Sequence, residues 1–316
     1  MFKSEDDFLA LIDTYFPQEH PHLLLGRGHD CAVLNTPARI SISTDLFVQD
    51  IHFRTEYFRP EHIGHKGLAV NLSDLAAMGA KPLGFELGLT WPGNLDKNFA
   101  HRLFKGMSNL AKQFDLALAG GDLSLGERLS LCITIWGECP EKILCRQNVS
   151  PDDLVFVVGH VGLARAGLHI LEQKTPPQED FPISISRHLS PEPLVREGML
   201  LAKIDCVKGL MDVSDGLAQD IPRFLGPGLG LEIDEQNFAL HQEVLTYCRL
   251  TDQDPLMFSL QGGEDYALIG ATSPKSFSKI EKIIPHAWIL GKVVPNPGLF
   301  VRGARIGIKG FDHFVG

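Results

Sequence analysis

Residues 67–80 read GLAVNLSDLAAMGA, from Gly67 to Ala80. Ala, Leu, Val and Met fill most of the window and Gly79 supplies a C-terminal stop, so the stretch reads as an apolar helix. Its polar residues are Asn71, Ser73 and Asp74. Asn71 and Asp74, three apart, share one helical face. A carboxylate among such neighbours is costly to keep ionised unless it is paired or bound to metal. The window alone admits a capping or hydrogen-bonded aspartate as well as a metal ligand. The rest of the chain bears on that choice, because it carries further lone aspartates in similar settings.

Upstream, Ser4–Phe16 reads as a capped amphipathic helix. A strand, His22–Leu25, follows, then the loop Gly26-Arg27-Gly28-His29-Asp30 and a second strand, Cys31–Leu34. RISIST, Arg39–Thr44, is a third strand and ends at Asp45. Downstream come a strand at Gly84–Thr90, a helix at Asn94–Phe114, a strand at Leu116–Ala119 running into Gly120-Gly121-Asp122, and a strand at Leu129–Trp136. Around Gln147–Asp153 the pattern restarts, which places a domain boundary there: residues 1–147, then 148–316. In the second half, Leu154–Val158 is a strand, Gly162–Leu171 a helix, Lys174–Ile183 a surface loop and Pro193–Ile204 a helix. The strand Val207–Met211 ends in Asp212-Val213-Ser214-Asp215-Gly216, and a helix resumes at Leu217. Strands at Leu229–Ile233, Tyr266–Ala271 and Trp288–Val293 alternate with helices at Leu240–Leu250 and Lys275–Ile284. The Ser-Asp dipeptides Ser73-Asp74 and Ser214-Asp215 give the halves a weak echo, as of two related α/β domains.

The chain is long enough for two cores at 316 residues, and 44% hydrophobic with 22% charged residues is the balance of a soluble globular protein. A net charge of −10, from 39 acidic against 29 basic residues, disfavours nucleic acid or an anionic membrane as partner. No apolar run reaches the ~18 residues of a membrane span, and the first residues lack the pattern of a signal peptide. The six cysteines form no CxxC pair and read as reduced thiols of a cytoplasmic protein.

Asp30, Asp45, Asp122, Asp212 and Asp215 stand where a strand ends or a helix begins, with Asp74 as the sixth. One such residue is a turn former. Six, each close to small residues such as Gly, Ser or Ala, read as ligands, because oxygen-only donors without His or Cys spacing suit Mg²⁺ rather than zinc. Carboxylates repel phosphate, so the useful order is carboxylate, metal, phosphate. Ser43, Thr44 and Ser214 add neutral oxygens. The sequence has no GxxxxGK[ST], no GxGxxG after a strand and no GxSxG. His29 and His52 lie near acidic turns, where a histidine is more often a surface or hydrogen-bonding residue than a catalyst.

GHDCAVL from Gly28, STDLFVQDIHF from Ser43, AVNLSDLAAMGAKP from Ala69, GGD from Gly120, DVSDGLAQD from Asp212, GGEDYAL from Gly262 and KGFDHF from Lys309 occur in that order. Together they resemble the thiamine-monophosphate kinase family, of the superfamily that includes aminoimidazole ribonucleotide synthetase and selenophosphate synthetase. The likeness spans nearly the whole chain. It implies an α/β (α+β) fold, of the two-domain aminoimidazole ribonucleotide synthetase kind, whose N-terminal domains pair in a homodimer. It implies ATP-dependent phosphorylation of thiamine monophosphate to thiamine diphosphate. Asp30, Ser43, Thr44, Asp45, Asp74, Asp122, Asp212 and Asp215 fall on the family's Mg²⁺ positions. Gly121, Asp122, Arg146 and Ser214 fall on its nucleotide positions, and Phe104 on an aromatic position near the nucleotide. His52, Glu264 and Phe311 fall on its substrate positions.

The acceptor in that reaction is already an anionic phosphate oxygen, so no dedicated base is expected. Bringing two anions together is the obstacle, and several Mg²⁺ ions with one Arg meet it. Departures from the family are His29 in place of an acidic residue, Leu123 and Ser124 in place of two threonines, and Asn148 and Asp152 in place of two glycines. Rival readings are another ATP-dependent enzyme of the superfamily and a non-catalytic paralogue that binds nucleotide or thiamine phosphates. Against the first stand the absence of a final Cys, as hydrogenase-maturation relatives carry, and of a reactive Cys before the first acidic motif. Against the second stands the retention of six costly aspartates.

Overall fold

The computed structural model describes residue 2, residues 4–174 and residues 176–307. The chain divides into two compact units, Met1–Leu75 with Ala80–Cys139, and Ala76–Gly79 with Pro140–Gly316. The division falls earlier than the 147/148 boundary expected from the sequence and puts Arg146 in the second unit.

The first unit is built from α1 (Glu5–Tyr15), β1 (Leu23–Leu25), β2 (Val33–Leu34), β3 (Ile40–Val48), α2 (Pro60–Ala77), β4 (Lys81–Pro92), α3 (Lys97–Gln113), β5 (Ala117–Gly126) and β6 (Ser130–Glu138). The Ser4 hydroxyl caps α1 by accepting from Asp7 N–H at 3.2 Å, and Glu5, Asp6 and Asp7 complement its dipole. Residues 67–77 are the C-terminal part of α2, which starts about two turns earlier at Pro60, a residue suited to a first turn. Gly79, at φ +63°, ends it. Gly79 N–H bonds Ala76 O and Ala80 N–H bonds Leu75 O, both at 2.9 Å, the paired closure that a left-handed residue permits. α2 and α3 approach closely through Gly64 and Gly106, where a Cβ would lie 2.0 Å from Leu103 O and from Glu61 O respectively.

The sheet runs β3-β6-β4-β5, with β4 and β5 parallel and the other pairs antiparallel. β1 and β2 form a separate antiparallel pair. Two expectations change here. β3 does not stop at Asp45 but continues to Val48, because every residue from Ile40 to Val48 finds a partner on β6. β5 likewise runs through Gly120-Gly121-Asp122 to Gly126, each residue from Gly120 onward pairing with β4.

The second unit holds β7 (Leu154–Val158), α4 (Leu163–Gln173), α5 (Pro182–Leu189), α6 (Val195–Ala202), β8 (Gly209–Asp212), α7 (Leu217–Leu225), β9 (Gly230–Ile233), α8 (Gln242–Leu250), α9 (Pro255–Leu260), β10 (Leu268–Thr272), α10 (Phe277–Ile283), β11 (Ala287–Val294), β12 (Gly298–Val301) and β13 (Ala304–Ile306). Its sheet order is β13-β12-β9-β11-β7-β10-β8, and only β9 with β12 is parallel. A core of Val155, Val157, Ile221, Phe224, Ile269 and Leu290 fills the space beneath α7. α5, α9 and the β12–β13 hairpin were not expected. Their short segments are too brief for periodicity to declare. With both sheets mainly antiparallel, the fold lies on the α+β side of its class. Of the first unit's aspartates, Asp45 and Asp122 accordingly lie within strands and Asp74 within a helix, not in a crevice beyond parallel strands, and Asp30 lies in the loop between β1 and β2.

Candidate active site

Alternation along β3 sorts the STD motif onto two faces. Ser43 and Asp45 are half-buried, whereas Thr44 is exposed and its hydroxyl lies 2.8 Å from that of Thr134 on β6. The Ser43 hydroxyl donates to Asp74 Oδ2 on α2. Burial first, then the Asp74 charge and a hydrogen bond to it, push the Asp45 carboxyl up to about 6. Two carboxylates thus press on each other beside one hydroxyl. Asn71, one turn back on α2, is buried and donates Nδ2 to Gly67 O at 3.0 Å, while its Oδ1 has no hydrogen-bond partner among the described residues. An orphaned carbonyl oxygen, two crowded carboxylates and a serine hydroxyl make a hard-oxygen donor set, which fits Mg²⁺. Thr44, expected in the same shell, presents its side chain to the other face.

That other face borders a cavity of about 810 Å³ lined by the Gly26–Ala32 loop, Glu86–Leu89 of β4, Leu118–Leu123 of β5, and Cys132 and Thr134 of β6. Asp30, His29, Gly121 and Asp122 all line it. Ser124, at a departure from the family pattern, donates its hydroxyl to Asp122 Oδ2 at 3.3 Å. Gly121 has φ +152°, and a Cβ on it would lie 1.9 Å from Leu87 O, so the strand admits only glycine there. Glu5, Asp13, Asp30, Glu86 and Asp122 face the cavity against a single guanidinium, Arg27, among the described residues. Such a cavity repels a bare phosphate chain and accepts one only with cations.

Among the described residues no three His, Cys, Asp or Glu side chains converge on one metal position. The aspartates of the first unit come as the pair Asp45–Asp74 and as Asp30 and Asp122 on one cavity wall.

Phe104 requires a correction. It is fully buried in α3, its ring 5.9 Å from Phe8, 6.4 Å from Tyr15 and 6.5 Å from Phe16, so it is core and has no face for a nucleotide. Its place in an amphipathic helix, with Leu103, Met107 and Leu110, is the signal that weighed for core. His52 accepts from Val48 N–H through Nδ1 at 3.0 Å, which puts the ring proton on Nε2, and it stacks on Phe47.

In the second unit, Asp212 is buried at the end of β8 opposite Leu268. Asp215 is paired with Arg223. Ser214 O accepts from Glu264 N–H at 2.7 Å, which ties the SDG turn to the GGED turn. Glu264, at φ +63°, has Oε2 3.2 Å from His188 Nδ1. Arg146 is exposed in the loop that Gln147 N–H pins to Phe224 O at 2.7 Å. Phe311 lies outside the described residues.

Three residues that sequence reasoning passed over shape these sites. Arg27 ties the Gly28–Asp30 loop in place. Asp220, fully buried in the first turn of α7, accepts from Asp215 N–H at 3.0 Å, and burial with the nearby Asp215 charge raises its carboxyl to about 6. Asp265 accepts from Gly162 N–H at 2.6 Å and Ala164 N–H at 2.9 Å, capping α4 from a distant turn. Asp220 and Asp265 stood inside quoted motifs, but nothing in spacing announces a cap 103 residues away.

Two family models cover most of the chain: AIR synthase related protein, N-terminal domain, over residues 28–139, and its C-terminal domain over residues 150–304. Thiamine-monophosphate kinase of Escherichia coli (strain K12) is 32% identical across 97% of this chain and 98% of its own length. Its Bacillus subtilis (strain 168) counterpart is 32% identical across 87% and 86% respectively. A solved structure described as AaThiL complexed with AMPPCP and TMP superposes with a TM-score of 0.79 at 26% identity, covering 98% of this chain and 97% of that one.

Proposed function

Because the chain belongs to the thiamine-monophosphate kinase family of AIR synthase related proteins, we propose that it transfers the terminal phosphoryl group of ATP to thiamine monophosphate. The products are thiamine diphosphate and ADP. The observation that carries this reading is the near full-length identity to kinases of that name. The acidic cavity bearing Asp30, Gly121 and Asp122 supports it, since such a wall suits a phosphate chain escorted by cations.

Mg²⁺, when bound, neutralises the phosphate oxygens and holds them in line. Within the first unit, Asp45, Asp74 and Ser43 would hold one such ion and Asp30 and Asp122 on the cavity wall another, and within the second unit Asp212 and Asp215 are assigned to Mg²⁺ by family position. Asp215 has to leave Arg223 to do so. Arg146, exposed on its loop, and Ser214 are assigned to the nucleotide. His52 offers an Nε2 donor to a phosphate, and Glu264 an acceptor to a cationic or amine-bearing ring. Phe311 is assigned to the thiazolium or pyrimidine by family position. No residue is assigned as general base, because the attacking phosphate oxygen is already ionised near neutral pH.

The exposed Ile40, Ile42 and Leu46 on one face of β3 support pairing with a second copy of the chain, and the absence of any described helix able to cross a membrane accords with a cytoplasmic enzyme. The test is direct. Purified protein with ATP and Mg²⁺ should release ADP only when thiamine monophosphate is added, with one thiamine diphosphate formed per ADP. ADP release indifferent to thiamine monophosphate, or no thiamine diphosphate, would sink the reading.

A further inference from the structure

Arg27 is the one guanidinium on the cavity wall among the described residues, yet it is not disposed as a phosphate clamp. Its side chain is only 12% exposed. Nη1 donates to Leu118 O at 2.6 Å, and Nη2 to Phe16 O at 2.7 Å and to Asp13 Oδ1 at 2.8 Å. Nε approaches the same Asp13 oxygen at 3.3 Å, and Gln18 Nε2 holds that oxygen at 2.8 Å. One side chain therefore joins three elements: the loop carrying Gly28, His29 and Asp30, the C-terminal end of α1, and β5.

The point of attachment on β5 matters. Register between β4 and β5 runs Phe85 to Leu118 and then Glu86 to Gly120, so Ala119 is an extra residue and the strand bulges there. A bulge of this kind re-aims every residue that follows it. The residues that follow are Gly120, Gly121 and Asp122, which form the cavity wall. Among the described residues β5 is the last strand of its sheet, with no further strand to fix its outer edge. The Phe16 carbonyl, just past the end of α1, is an acceptor that the helix itself does not satisfy, and a cation there also suits the helix dipole.

We propose that Arg27 is a positioning residue for the nucleotide cavity: it fastens the Asp30 loop to the bulge that aims Gly121 and Asp122. The inference rests on the assignment of this cavity to the nucleotide. Planarity is essential to it, because a fork can meet two carbonyls and a carboxylate at once whereas an ammonium on a flexible stem cannot.

The experiment compares Arg27→Met, Arg27→Lys and the natural protein. Binding of a non-hydrolysable ATP analogue with Mg²⁺ is measured by calorimetry, alongside melting temperature and the KM for each substrate. In Arg27→Met the analogue should bind about tenfold more weakly, with the KM for ATP rising in proportion and the KM for thiamine monophosphate staying within about twofold. Arg27→Lys should recover less than half of the loss in affinity despite its charge. Folded variants that bind the analogue like the natural protein would overturn the inference, as would equal weakening of both substrates. Full rescue by Arg27→Lys would overturn it too, by showing that charge alone suffices. If Arg27→Met fails to fold, Arg27→Lys decides by the same thresholds, at about threefold or more. Failure of the natural protein to bind the analogue would instead remove the nucleotide assignment, and the inference with it.

Discussion

Gly120 and Gly121 are adjacent on β5, and the structure separates them. At Gly120 an added Cβ meets nothing within 4 Å, whereas at Gly121 it would lie 1.9 Å from Leu87 O and 2.5 Å from Leu87 C, at φ +152°. Ordinary contact begins near 3.4 Å, so Gly121→Ala forces β5 and β4 apart by about 1.5 Å at the Leu87–Gly121 pair. That displacement is enough to break the ladder bonds beside it, at about 1 kcal/mol each. Strain at a backbone angle that alanine rarely adopts adds about 1–3 kcal/mol. The sum is about 2–5 kcal/mol, or a fall in melting temperature of about 5–15 °C for a unit of this size. Gly120→Ala should instead be neutral or stabilising by up to about 1 kcal/mol, because it restricts only the unfolded chain. Thermal melts of the metal-free protein, followed by titration with a non-hydrolysable ATP analogue, test both. Gly121→Ala should melt early and bind the analogue weakly, and Gly120→Ala should melt at or slightly above the natural temperature. Equal melting of the two variants would refute the argument, since composition and strand propensity are the same at both sites and only the approach of Leu87 and the backbone angle differ.

Asp74→Asn should abolish turnover and yet raise the melting temperature of the metal-free protein by a few degrees at pH 7. The crowding that lifts Asp45 to about 6 lowers stability as pH climbs from about 4 to 6, and its Asp74 share disappears in the variant; a lower melting temperature with a retained Mg²⁺ response would mean that Asp74 is structural. Asp265, held up at about 7 chiefly by burial, binds its proton more tightly folded than unfolded, so stability should fall as pH rises from about 4 to 7. Melts of Asp265→Asn across that range should lack this slope, and an unchanged slope would assign it to other groups. Phe104→Leu should cost about 1–2 kcal/mol of stability through core packing and leave the KM for ATP unchanged; a raised KM in a stable variant would return Phe104 to the nucleotide site.

How much of this was legible in the chain depends on range. α1, α2 and α3 were readable because apolar spacing, the Ser4 cap and the Gly79 stop are local signals. The six aspartates were readable as unusual because each sits among small or apolar neighbours, and the ordered motifs named the family. The positions of Gly121, Asp74 and Asp30 follow from sequence in that sense. Their grouping does not. Thr44 and Asp45 part because neighbours on a strand face opposite ways, and it is pairing with β6, some 90 residues away in the chain, that keeps both of them in a strand. Asp45 was expected at a strand end, but nine consecutive partners on β6 carry the strand past it.

Tertiary structure alone decided the rest. Phe104 could be read as a stacking ring until α1 closed over it with Phe8 and Phe16. Arg27 is an unremarkable loop cation in the sequence, and it becomes the fastener of a cavity wall only when α1 and β5 bring Asp13, Phe16 O and Leu118 O within its reach. Asp265 caps a helix that begins about a hundred residues earlier. Local periodicity and caps are written in neighbouring residues, so a sequence displays them. Hydrogen bonds between distant elements depend on how the chain crosses itself, and a linear reading carries no distances between those crossings.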